Sequence, residues 1–76
     1  MIINKIHWLG VGLSSPPGIL YLNDQRYDLL VWNRSVDKAK TLLKNKINVN
    51  ELDISNLSKK LDKNDLIVSM LPASMH

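Results

Sequence analysis

The chain has 76 residues, with ten Lys and Arg against seven Asp and Glu, and no Cys. A chain this short buries only about 60% of its unfolded surface, so it holds one small domain with a thin core. The composition excludes a disulfide framework and a thiolate metal site. His7 and His76 lie too far apart in sequence to suggest a zinc ligand set, and a net charge of +3 is too weak and dispersed for a nucleic-acid footprint. The absence of Cys fits a reducing compartment. Lys38, Lys40, Lys44 and Lys46, with the Lys59-Lys60 pair, read as solvated helix faces. No run reaches the roughly 18 apolar residues that cross a bilayer. The N-terminus, Met-Ile-Ile-Asn-Lys, lacks the charged start, apolar stretch and small-residue cleavage site of a signal peptide. The expectation is a soluble, cytoplasmic protein with neither membrane nor nucleic acid as partner.

In chain order, Ile2 to Leu9 is predicted as a first strand, largely apolar and interrupted by Asn4-Lys5. It stops at Gly10-Val11-Gly12, and a short polar turn follows. A first helix is predicted from Pro16 or Pro17 to Gln25, because Pro at the first helical position gives up an N–H that has no helical partner anyway. Tyr27 to Trp32 is a second strand whose apolar run suits a sheet covered on both faces. Ser35 caps a second helix, Val36 to Lys46. Asp37 lies in its first turn and Lys44 and Lys46 in its last, and Val36, Ala39, Leu42 and Leu43 form one apolar face. Ile47 to Leu52 is a short third strand. Ser55 caps a third helix through Leu61, with Leu57 and Leu61 one turn apart. Asp65 to Leu71 is a fourth strand, ended by Pro72. The order β-α-β-α-β-α-β with short connections requires parallel strands joined by helical crossovers. The predicted fold is α/β with sheet order 3-2-1-4, the first half of a doubly wound sheet plus one strand.

The motifs gather where such sheets bind ligands, at the carboxyl ends of the strands. Gly10-x-Gly12 stands between a strand and a helix. Glycine there permits a sharp turn and leaves the backbone N–H groups open to a phosphate at the helix N-terminus. The third position of the G-x-G-x-x-G pattern is Ser15, small enough for close helix–strand packing, and Gly18 relieves crowding around the two prolines. After the second strand comes Asn33-Arg34-Ser35. An NAD site usually has a carboxylate about 20 residues beyond the glycines. Asn33 in that place does not repel a 2′-phosphate. Arg34 can pair with that phosphate or lie flat on the adenine, and Ser35 adds a hydroxyl. The pattern favours NADP(H) over NAD(H). Asp53 either accepts from the adenine amine or is a plain turn residue. Leu71-Pro72-Ala73 would line the diphosphate and nicotinamide-ribose side. His7 is expected to be a packed strand residue, Trp8 and Trp32 core, and His76 a terminal residue. None of these is assigned to catalysis or to a metal.

With these residues in place, the chain resembles the N-terminal nucleotide-binding domain of the saccharopine dehydrogenase (saccharopine reductase) family. The matching stretches are W-L-G-V-G-L-S-S-P-P, V-W-N-R-S-V-D-K-A-K and D-L-I-V-S-M-L-P-A-S-M-H. The resemblance implies a partial Rossmann unit and an NADP-type cofactor. For a complete member it implies oxidation or reduction at the C–N bond of an amino-acid conjugate in lysine metabolism. Carried over by position, the cofactor residues are Gly10, Gly12, Leu13, Ser14, Ser15, Asn33, Arg34, Ser35, Asp53, Leu71 and Pro72. Family members continue into a second half-sheet and a substrate domain. Residues 1–76 are therefore expected to be the N-terminal half of a dinucleotide-binding domain, truncated and without turnover of its own. The apolar edge of strand four would be covered by the rest of a longer chain or by a second copy in a homodimer. The competing expectation is a non-catalytic, self-associating half-Rossmann binding module.

Overall fold

A computed structural model describes residues 4–70. The elements are β1 (Ile6–Leu9), α1 (Pro16–Asp24), β2 (Leu29–Asn33), α2 (Val36–Leu42), β3 (Val49–Glu51), α3 (Ile54–Lys60) and β4 (Leu66–Ser69). All strand pairs are parallel and the sheet order is β3-β2-β1-β4, as the alternation of elements requires. This is an α/β fold, the first half of a doubly wound Rossmann-like sheet with one added strand. The element boundaries shift by a few residues, each for a local reason. The α2 helix ends at Leu42 rather than Lys46, because Lys44 and Asn45 turn left-handed at φ 54° and 56°. The Asn45 N–H then reaches back to the Lys40 carbonyl and the Lys44 N–H to that of Thr41, which closes the helix in a Schellman turn. The α3 helix begins at Ile54 rather than after a cap at Ser55. The Leu57 N–H donates to the Asp53 carbonyl, so Asp53 holds the N-cap position with its side chain unused as a cap. The predicted Ile2–Ile3 start of β1 and Leu71 end of β4 lie outside the described residues.

Strand register assigns the two faces of the sheet. Ile6 pairs with Leu29 and Leu66, and Trp8 with Val31 and Val68, so these side chains share one face. There Trp8, Val11, Ile19, Val31, Ala39 and Leu43 form the core beneath α1 and α2. Burial of each large side chain contributes roughly 1.5–3 kcal/mol. The opposite face carries His7, Leu9, Trp32 and Asn50, and α3 crosses it. None of the α3 residues is buried, so this second layer is much thinner than the first.

Candidate functional site

Three loops meet at the carboxyl edge of the sheet. The first runs from Gly10 to Ser15. Gly10 has φ 92°, a conformation that side chains disfavour. Its N–H donates to the Trp32 carbonyl at 2.8 Å, and its own carbonyl accepts from the Trp8 indole Nε1 at 2.9 Å. The Gly12 N–H donates to Ser15 Oγ at 3.1 Å, and the Ser15 N–H returns to the Gly12 carbonyl. Ser15 is therefore buried as a loop lock. The close helix–strand approach expected of it is made by Gly18 instead. A Cβ on Gly18 would sit 3.1 Å from Trp8 Cη2, so this glycine makes room for an indole rather than for the prolines. A Cβ on Gly12 would meet no atom within 4 Å, which leaves open space above the loop.

The second loop starts at Asn33, the last residue of β2. Its Oδ1 accepts from the Val11 N–H at 3.1 Å and its Nδ2 donates to the Ser35 carbonyl at 2.8 Å. One amide side chain thus ties the glycine loop to the segment carrying Arg34 and Ser35. Arg34 is exposed, with no hydrogen bond or ion pair among the described residues. Ser35 Oγ accepts from the Lys38 N–H at 3.4 Å and caps α2 as expected. The third loop joins the same edge through the Leu52 N–H, which donates to the Asn33 carbonyl at 3.0 Å and leaves Asp53 exposed beside it.

Gly10, Gly12, Leu13, Ser14, Ser15, Asn33, Arg34, Ser35 and Asp53 therefore lie on one edge. Leu71, Pro72, Ala73 and His76 fall outside the described residues. The supply of N–H donors is smaller than the bare motif suggests. Pro16 and Pro17 have none, and those of Gly10, Val11 and Gly12 are used internally. Leu13, Ser14 and Gly18 have N–H groups without an acceptor among the described residues. They, the Arg34 guanidinium and the open space at Gly12 are what the edge offers an anionic ligand. Among the described residues there is no cluster of metal-ligating side chains, and no helix is long and apolar enough to cross a membrane.

Two features were not foreseen from sequence. His7, fully buried, joins Trp32 and Asp65 in a hydrogen-bonded chain on the α3 face, with Nδ1–Trp32 Nε1 at 3.1 Å and Nε2–Asp65 Oδ2 at 2.7 Å. Burial pushes the Asp65 carboxyl up. The Asp62 N–H, the His7 ring and the Lys5 ammonium outweigh that and hold it below its ordinary value. The hydrogen bond from Lys5 to Asp62 raises the Lys5 pKa. Beside Trp32, a cleft of about 230 Å³ opens between the sheet and α3, lined by Asn50, Glu51, Asn56, Lys59 and Lys60. The usable signal was His7 itself, since a polar residue inside an apolar strand needs a partner. The chain matches no protein-family model, no curated protein and no solved structure.

Proposed function

We propose that the carboxyl edge binds the adenosine and diphosphate part of NADP(H), as the cofactor-binding portion of an oxidoreductase similar to the saccharopine dehydrogenase family and acting on the C–N bond of an amino-acid conjugate. The observation that carries this reading is the Asn33 amide, which joins the glycine loop to the Arg34 loop through bonds of 3.1 and 2.8 Å. In this reading the N–H groups of Leu13, Ser14 and Gly18 receive the diphosphate, and Gly12 leaves room for it. The Arg34 guanidinium takes the 2′-phosphate in a forked geometry, with the Ser35 hydroxyl as a second donor. Asn33 brings no negative charge to repel that phosphate, and Asp53 accepts from the adenine amine. The nicotinamide supplies hydride chemistry when bound. The residues of this chain bind and orient the adenosine and diphosphate part, and none is assigned to catalysis.

A non-catalytic, self-associating module is the second reading. It is favoured by the apolar β4 edge, where Leu66 and Ile67 are 43% and 47% exposed. Titration with NADPH and NADH separates the two. The first reading expects NADPH to bind more tightly. Arg34→Glu should then weaken NADPH by roughly 1.5–3 kcal/mol, the range for a hydrogen bond to a charged group, and leave NADH little changed. Equal affinities in wild type and variant, or no binding by a folded, associated chain, would favour the second.

A further inference from the structure

The Trp32–His7–Asp65 chain lies on the face opposite the main core and is not used by the carboxyl-edge site. An indole N–H can only donate, so His7 Nδ1 must accept from Trp32 and the ring proton sits on Nε2, donated to Asp65 Oδ2. Three strands are linked by two bonds: β1 through His7, β2 through Trp32, and the head of β4 through Asp65. The arrangement has room for only one His7 proton. A second, on Nδ1, would set two N–H groups head to head at 3.1 Å.

We propose that this chain is a proton-sensitive latch: proton uptake at His7 Nδ1 releases the Trp32 indole from its bond and turns it into the cleft beneath α3. Two features of the surroundings bear on that movement. The Asp65 carboxylate, 1% exposed and with Oδ1 unpartnered among the described residues, offers the cationic ring an ion pair without rearrangement. Trp32 already lines the cleft, where Glu51 and the side-chain amides of Asn50 and Asn56 provide acceptors for a freed indole N–H. The charged groups around His7 are Lys5, just before β1, with Asp62 and Asp65 before β4. Lys60 on α3 is held through its carbonyl by the Lys5 ammonium. Lys59, Lys60 and Glu51 flank the cleft. The ammonium groups oppose a positive His7 ring and the carboxylates favour it.

The two tryptophans make the test internally controlled, because Trp8 points to the other face and donates to Gly10. Indole and imidazole resonances of the full chain are followed by NMR from about pH 8 to about pH 5, the range in which histidine ordinarily titrates. The latch requires the Trp32 indole signal to move with the same midpoint as the His7 ring while the Trp8 indole stays fixed. In His7→Gln, whose amide oxygen still accepts but cannot take up the proton, the Trp32 step should vanish. A His7 ring that does not titrate before the sheet unfolds would overturn the proposal. So would a Trp32 signal that ignores the titration, or Trp8 and Trp32 moving together. All three are read on the wild-type chain alone, so the proposal stays testable if His7→Gln does not fold.

Discussion

Asn33 shows how one side chain converts two loops into one edge. The glycines of that edge are not equivalent, and substitution should separate them. Gly10→Ala places a Cβ at φ 92° and should cost roughly 1–2 kcal/mol of stability, read by urea denaturation. Gly12→Ala meets no protein atom, so its stability should stay within about 0.5 kcal/mol of wild type while NADPH affinity falls. Asp65 adds a prediction on pH. Its folded pKa lies below the ordinary 3.8, so between the two values the unfolded chain holds more protons. The stabilisation is therefore complete above about pH 4 and is lost as pH falls through the lowered value. Asp65→Asn should flatten the slope of unfolding free energy against pH in that window. At this scale the sequence located Gly10, Gly12, Arg34 and Ser35 correctly on one edge. It could not show that Asn33 and Ser15 would be absorbed by the backbone: the Asn33 bond reaches a residue 22 positions away that only the fold brings close, and the Ser15 bond depends on how the local turn closes.

Among the elements, strand and helix order was legible because apolar runs and helical spacing alternate without ambiguity. Boundaries were less so. The end of α2 is set by Lys44 and Asn45 turning left-handed, and Lys is not a residue that signals such a turn. The start of α3 went to Asp53 rather than Ser55, since both residue types favour that position. The α3 helix also differs from its neighbours in energy. It buries no residue, whereas α1 seats Ile19 and α2 seats Ala39 and packs Leu43 into the core. Hydrogen exchange should therefore be fastest in α3 and slowest in β1 and β2, because local opening is cheapest where few apolar contacts are lost. Equal protection in α3 and β1 would refute this picture of a thick and a thin layer.

For the whole molecule, the decisive feature is polarity along the strands. The candidate ligand-binding groups stand at the carboxyl ends, while the His7–Asp65–Lys5 cluster lies toward the opposite end of β1 and the head of β4. The most direct measurement is an amide chemical-shift map on adding NADP⁺ and, separately, NAD⁺. NADP⁺ should displace the amides of Leu13, Ser14, Gly18, Arg34 and Ser35, while NAD⁺ should act more weakly and spare Arg34 and Ser35. Shifts gathered around Asn56, Lys59 and Lys60, or none at the glycine loop with either nucleotide, would contradict the account.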